Sequence, residues 1–363
     1  MKNRKLVFVV NTLKVGGAAK MLKYVANILT DVFEEVDIIS IYDNDTSCNG
    51  VNSSINIIGL GFENVNRLKR QFLMVSAIKK AINSISPSFV CAWIGHVNVM
   101  VRMATLRMNN VVVMSAERGD PFTQPLIWRL LTKWAYSKSD FCFFQLDKAR
   151  DFFGEKTVKH SFVIPNPFVT NCPVEPYFEE RQKTIVSAGR FGFEKCYNDL
   201  IDAFYIVHKK YPEYRLVLYG EGPMISDYKK QIRDLDIEDF VSFPGYVNSV
   251  ATEIRKDGIF VLSSLFEGIP NSLIEAMSVG IPCIATDCTP GGPAFLFKNQ
   301  ERGLLVKVHD VNAMADAICR YIENPQYAIE MGRKGVGIIE DLEEKRIRQL
   351  WIDAFNKIIN YEK

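Results

Sequence analysis

The chain has 363 residues, 48% of them hydrophobic and 24% charged, with a formal net charge of +2, an ordinary globular composition with length enough for two domains. No apolar run is long enough to span a membrane, and Met1–Lys5 lead directly into a strand-like run without a signal-peptide core. Eight Cys are scattered with no Cys-x-x-Cys pair and no His nearby in sequence, which argues against zinc and disulfide frameworks and for reduced thiols in the cytoplasm.

Apolar, β-rich runs alternate with helical periodicity, the pattern of parallel sheets joined by crossover helices. In the first half the predicted strands are Lys5–Asn11, Val36–Ile41, Ile55–Leu60, Phe89–Trp93, Val111–Ser115, Phe141–Phe144 and Phe162–Ile164. A proline-rich break then runs from Pro165-Asn166-Pro167 through Pro173 and Pro176 and reads as a linker over 166–181. A second series follows at Thr184–Ser187, Arg215–Tyr219, Val241–Phe243, Ile259–Leu262, Cys283–Ala285 and Gly303–Val306. Helices are predicted over Asn198–Tyr211 and Val311–Glu323, and the tail from Leu342 to Tyr361 reads as one long helix. The fold class is therefore α/β: two Rossmann-like, doubly wound parallel-sheet domains, 1–165 and 182–341, facing across a cleft. The helix of 342–363 is expected to pack back towards the first domain.

The small net charge hides an asymmetry. Residues 1–170 hold 21 Lys+Arg against 13 Asp+Glu, a balance of +8, and the remainder holds 23 against 29, a balance of −6. A basic front half suits an anionic surface or a phosphate-bearing acceptor, and it is equally compatible with plain solvation.

Ligands of such sheets bind beyond the carboxyl ends of the strands, so the residues that follow each strand are the candidates. After the first strand Gly16 and Gly17 open a helix, where backbone can approach an anion closely. Neither the dinucleotide fingerprint nor a P-loop ending is present. His96, one of four His, follows the fourth strand in Trp93-Ile94-Gly95-His96, as a substrate contact or a structural His. Ser115-Ala116-Glu117-Arg118-Gly119-Asp120-Pro121 places three charges after the next strand, where acceptor binding competes with an internal Glu117–Arg118 pairing.

In the second half, Ser187-Ala188-Gly189-Arg190 and Lys195 bring two cations to one strand mouth, which suits a pyrophosphate leaving group. Phe243-Pro244-Gly245-Tyr246 ends a strand in a tight turn, where backbone at Gly245 and Tyr246 can meet a nucleobase edge. The richest stretch runs from Leu265 to Ala285. In it Glu267 and Glu275 stand eight residues apart, separated by a turn and by Asn271 and Ser272, either of which can cap the following helix. The amides at Asn271, Ser272 and Leu273 then form an anion receptor flanked by two carboxylates, as a sugar nucleotide requires. A capped helix whose Glu residues complement its dipole is the plainer reading.

Taken in order, these elements resemble the retaining GT-B glycosyltransferases of family 4. The resemblance runs nearly end to end, through Gly16-Gly17, Ser115–Pro121, Val163–Pro167, Gly189-Arg190…Lys195, Tyr219–Pro223, Phe243–Tyr246 and the Glu-x7-Glu motif of Glu267 and Glu275. It implies that Arg190 and Lys195 bind the donor diphosphate, Glu275 the ribose, and Glu267 the transferred sugar. The amides at Gly16-Gly17 and Asn271–Leu273 would take phosphate, Gly245-Tyr246 the base, and His96 the acceptor or sugar. It further implies a front-face reaction in which the leaving phosphate deprotonates the acceptor, with no enzyme nucleophile, no cofactor and no metal. Phe295 departs from the pattern, standing where many relatives carry a Glu.

The sequence therefore predicts a transferase moving a hexose or N-acetylhexosamine from a nucleotide sugar, expected to be UDP-linked. The acceptor would be a glycan or a lipid-linked species in bacterial surface or extracellular polysaccharide synthesis. A GT-B nucleotide-sugar epimerase and a non-catalytic subunit of the same fold are the alternatives. No nucleic-acid partner is expected. The mixed cationic and apolar stretches Arg67–Met74 and Ile127–Trp134 predict peripheral contact with an anionic membrane at the inner face of the plasma membrane, or are ordinary helices with apolar core faces.

Overall fold

The computed structural model describes residues 4–14, 16–44, 48–62, 67–169 and 175–361, the side chains of 67–72 excepted. Pro173 and the side chains from Arg67 to Phe72, both part of the expectations above, lie outside the described residues. The chain divides into two compact units, Met1–Asn166 with Lys345–Lys363, and Pro167–Glu344.

The first unit holds a seven-stranded sheet of β1 (Lys5–Val10), β2 (Glu35–Ser40), β3 (Asn56–Gly59), β4 (Phe89–Trp93), β5 (Val112–Ala116), β6 (Phe141–Phe144) and β7 (Ser161–Val163). Its order is β3-β2-β1-β4-β5-β6-β7, with every pairing parallel. Strand alternation explains why its central strands are apolar throughout. Leu6, Phe8 and Val10 of β1 and Phe89, Cys91 and Trp93 of β4 enter one core. Val7, Val9, Val90 and Ala92 enter the core on the opposite face, with Ile78, Val97 and Val101.

The tail helix Glu344–Ile359 belongs to this unit. Ile347, Trp351, Ala354, Phe355 and Ile358 recur at helical spacing and are buried in the core that takes Phe8 and Trp93. The Trp351 ring lies 6.1 Å from Trp93 and 5.0 Å from Phe143.

The second unit holds β8 (Thr184–Ala188), β9 (Arg215–Tyr219), β10 (Val241–Gly245), β11 (Ile259–Leu262), β12 (Cys283–Thr286) and β13 (Leu304–Val306). All pair in parallel, in the order β10-β9-β8-β11-β12-β13. All thirteen expected strands are present with ends shifted by no more than two residues, and the helices Tyr197–Lys210, Val311–Glu323 and Glu344–Ile359 lie where periodicity puts them.

The stretch read as a linker is fastened to the second unit over its described part. Arg181 Nη1 donates to the carbonyls of Arg255 and Asp257, both at 2.9 Å, and Nη2 to that of Val279 at 3.2 Å. A guanidinium offers five donors in a rigid fork, and here they tie down two separate backbone segments.

Candidate active site

Each sheet reverses its strand order once, between β1 and β4 in the first unit and between β8 and β11 in the second. At such a reversal the two loops leave in opposite directions and open a crevice at the carboxyl ends of the strands. In the second unit the loop after β8 carries Lys195 and the loop after β11 carries Glu267. They meet: Lys195 Nζ donates to Glu267 Oε1 in a close ion pair, with the side chains only 14% and 16% exposed. Ser264 Oγ donates to the same carboxylate oxygen at 2.9 Å. The pair is further fixed from behind, because Ser263 Oγ donates to the Lys195 carbonyl at 2.8 Å and the Leu265 amide to the Glu194 carbonyl at 2.8 Å.

Lys195 lies across Gly189, where a Cβ would stand 2.9 Å from Lys195 Cε and 3.3 Å from Nζ. Burial alone would lower the Lys195 ammonium, but the Glu267 carboxylate together with Tyr197 and Glu194 outweighs it and holds the group above the ordinary lysine value. Lys195 is thus a fixed cation at the strand mouth.

Arg190 is placed differently. Its side chain is 66% exposed and its Nη2 donates to Glu194 Oε1 at 2.6 Å, so it stands on the same loop as Lys195 without joining the Lys195–Glu267 pair.

The helix after Glu267 runs Asn271–Ser278. The expected caps do not hold it: Pro270 occupies the N-cap position and no side chain caps the end, because Asn271 and Ser272 are already the first two residues of the helix. Leu273 is fully buried, whereas Asn271 and Ser272 are half-buried. The turn before this helix is packed from above by Gly292, where a Cβ would come 1.5 Å from the Gly268 carbonyl oxygen, so only glycine fits.

Glu275 lies one turn into the helix, and its Oε2 accepts the amides of Val250 at 2.7 Å and Ala251 at 3.3 Å. It therefore holds the start of the short helix Val250–Ile254. Gly245 closes β10 with φ +91°, its carbonyl accepts the Gly220 amide at 2.8 Å, and the Tyr246 side chain beside it is 68% exposed. Phe295 is exposed on the helix Gly292–Leu296.

The remaining candidates belong to the first unit. Gly16, with φ +111°, is the N-cap of the helix Gly17–Leu29, which no side chain caps. The turn before it is held by a residue the sequence did not single out, Asp43. Its carboxylate accepts the Thr12 hydroxyl at 2.8 Å, the Leu13 amide at 2.7 Å and the Ser40 hydroxyl at 2.7 Å. Burial would raise this carboxyl, but the donated hydrogen bonds and Lys14 outweigh it and hold it below the usual range.

His96 is the first residue of the helix His96–Ala104, after β4 and so at this sheet's reversal, with its ring edge-on to Trp128 at 6.0 Å. Glu117 and Arg118 follow β5, and their side chains part company. Glu117 Oε1 accepts the amides of Arg118 at 3.1 Å and Gly119 at 3.0 Å, while Oε2 accepts the Tyr136 hydroxyl at 3.2 Å. Asn98 Nδ2 in turn donates to that hydroxyl at 3.0 Å. The Arg118 guanidinium instead lies between Trp93 and Trp351, 4.7 and 5.1 Å from the ring centres. Both residues are buried, which raises the Glu117 carboxyl and lowers Arg118 to about 10. Neither an internal Glu117–Arg118 side-chain pair nor an open acceptor contact results: this segment is a buried network.

Residues 173–336, which span nearly the whole second unit, match the family of Glycosyl transferases group 1. Over these residues the chain is similar to group 1 glycosyltransferases. Similarity extends well beyond them. An uncharacterized glycosyltransferase of Haemophilus influenzae is 26% identical over 346 residues, covering 95% of this chain and 97% of its own. A Campylobacter jejuni alpha-1,4-N-acetyl-D-galactosaminyltransferase, whose name gives a glycan on PP-undecaprenol as its acceptor, is 23% identical over 98% of this chain and 99% of its own. Among solved structures, S. aureus TarM in complex with Fondaparinux, alpha-GlcNAc-glycerol and UDP superposes with a TM-score of 0.78 at 16% identity, over 97% of this chain and 100% of its own. The fold of this chain is GT-B, with two parallel-sheet Rossmann-like domains.

Proposed function

We propose that this chain is a retaining glycosyltransferase of family 4 that moves a hexose or N-acetylhexosamine from a UDP-sugar to a glycan or lipid-linked acceptor. The observation that carries this reading is the Lys195–Glu267 pair at the β8/β11 reversal, with Glu275 one helical turn past an end that no side chain caps. A diphosphate laid against that helix start meets backbone amides, Lys195, and Arg190 once it swings away from Glu194. As the bond from the sugar to the diphosphate breaks, negative charge grows on the leaving phosphate oxygen, and fixed cations there lower the barrier.

Glu267, already oriented by Ser264 and Lys195, accepts hydroxyls of the transferred sugar. Glu275 Oε2 is committed to two amides, which aims its other oxygen at the ribose. Gly245 and the exposed Tyr246 lie one strand beyond β9, a place for the base. The acceptor hydroxyl attacks the sugar carbon on the face the phosphate leaves, and its proton passes to the departing phosphate oxygen. One glycosidic bond forms as one breaks, and neither a protein nucleophile nor a cofactor is called for. UDP and a GlcNAc glycoside in the TarM complex, and PP-undecaprenol in the Campylobacter enzyme's name, support the donor and acceptor classes.

In this reading the amides at Gly16 and Gly17 take phosphate and His96 meets the acceptor or the sugar; all three follow strand ends of the first unit. Its contact with an anionic membrane is supported by the helix Leu126–Ser137, where Leu126, Ile127 and Leu130 are 68%, 71% and 62% exposed beside Arg129 and Lys133. Apolar side chains enter the acyl boundary while cations meet the headgroups. Among the described residues no helix is long and apolar enough to cross a membrane.

A thermal-shift screen against nucleotide sugars tests the donor claim, because a ligand that binds only the folded chain raises its melting temperature. A shift with UDP-sugars that is lost in Lys195→Ala and Glu275→Ala, with slow donor hydrolysis by the wild type alone, is expected. No binding and no hydrolysis with any nucleotide sugar would sink the enzyme reading.

A further inference from the structure

We propose that Cys196, Asp199 and His309 form a binding site for a zinc-class divalent cation in the second unit. Cys196 heads the helix Tyr197–Lys210 and Asp199 sits in its first turn, so both donors lie at one helix end. His309 arrives from the turn between β13 and the helix Val311–Glu323, more than a hundred residues later. The ligand atoms of the three side chains all lie within 4.8 Å of one another. His309 Nδ1 stands 3.0 Å from Asp199 Oδ2 and 3.9 Å from Cys196 Sγ. In a tetrahedral zinc site with bonds of about 2.0–2.3 Å, neighbouring ligand atoms stand roughly 3.3–3.8 Å apart. The observed separations bracket that value, so small side-chain rotations suffice to close the site.

The donor chemistry selects the ion. One sulfur, one imidazole nitrogen and one carboxylate oxygen suit a borderline metal such as zinc, whereas calcium and magnesium take oxygen ligands. Cys196 is buried, Asp199 half-buried and His309 exposed, which gives the cation a route from solvent and leaves a fourth position for water. Two non-glycine residues hold left-handed backbone here, Cys196 at φ 47° and His309 at φ 63°. The sequence hides this site because His309 lies more than a hundred residues from Cys196 along the chain; the sheet brings them together. Occupancy would tie the turn that ends in Lys195 and Cys196 to the turn at His309. The proposal does not depend on the transferase reading.

Metal-stripped full-length protein is titrated with cobalt(II), and thiolate-to-cobalt charge transfer is followed in the near ultraviolet. We expect a band that saturates at one cobalt per chain, is bleached by zinc, disappears in Cys196→Ser and persists in Cys319→Ser. No band in the wild type, or a band retained in Cys196→Ser, overturns the proposal. His309→Asn is the second variant, since the position is exposed and Asn tolerates left-handed backbone. Zinc should raise the melting temperature of the wild type and not of His309→Asn. An equal rise in both means that zinc binds elsewhere and overturns it too.

Discussion

Lys195, carried past the end of β8, and Glu267, carried past the end of β11, close an ion pair where the second sheet reverses its strand order. The loops that hold them are separated by three strands in sequence, β9, β10 and β11, yet the reversal makes them neighbours. Little water reaches the pair, so each side chain is oriented before any ligand arrives.

That orientation predicts coupling. Lys195→Met and Glu267→Gln each leave a half-buried partner without its counter-charge, and a double-mutant cycle should give a coupling of about 1–3 kcal/mol. Chemical denaturation of the four proteins measures it. Costs that simply add would show that the pair does not hold the site together. Lys195→Met should also weaken UDP-sugar binding about tenfold to hundredfold, the worth of one charge-assisted hydrogen bond of about 1.5–3 kcal/mol.

Glu275 has two jobs in this account, and one substitution separates them. Glu275→Gln keeps an oxygen for the Val250 and Ala251 amides but loses the charge, and should cost about 0.5–1 kcal/mol of stability. Glu275→Ala also removes the acceptor and should cost about 1–2 kcal/mol. If ribose binding needs the carboxylate, both variants raise the KM for donor, the alanine more. Unchanged KM in both would confine Glu275 to holding the helix Val250–Ile254.

Asp43 and Glu117 titrate with opposite sign. Asp43 is held below the usual carboxylate range in the folded chain. Its stabilisation is present at neutral pH and is lost as pH falls through its depressed value. Asp43→Asn should therefore cost about 1–3 kcal/mol at neutral pH and approach the wild type in acid. Glu117 is held above the usual range, mainly by burial. The folded chain then binds the extra proton, so stability falls as pH rises from the ordinary carboxylate range through the raised value. Glu117→Gln should flatten that fall. Urea midpoints across acid and neutral pH read both; parallel curves for variant and wild type would refute the assignments.

The exposed apolar row on the helix Leu126–Ser137 predicts binding to acidic vesicles. Wild-type protein should sediment with liposomes that contain anionic lipid and much less with neutral ones, with the difference shrinking as salt rises. Replacing Leu126, Ile127 and Leu130 by Ser should abolish sedimentation while leaving the fold intact, because these side chains already face solvent. Equal sedimentation with neutral and anionic lipid would sink the electrostatic part of the idea.

The sequence by itself determined the elements. Strands buried on both faces must be apolar throughout, so Leu6–Val10 and Ile259–Leu262 announce themselves, and the 3.6-residue period of Ile347, Trp351, Phe355 and Ile358 does the same for the tail. It also pointed to Lys195, Glu267 and Glu275, because charged residues just past apolar strands are costly unless used or solvated. Only the tertiary structure decided which side chains meet. Lys195 chose Glu267 while Arg190 chose Glu194, Glu275 took the amides of Val250 and Ala251, and Pro270 rather than Asn271 or Ser272 stood at the helix start. Asp43 and His309 carry no local signal at all, since their partners lie on other strands and other turns. Periodicity is a property of neighbours along the chain, whereas an ion pair or a ligand set depends on which strand ends the sheet order places side by side.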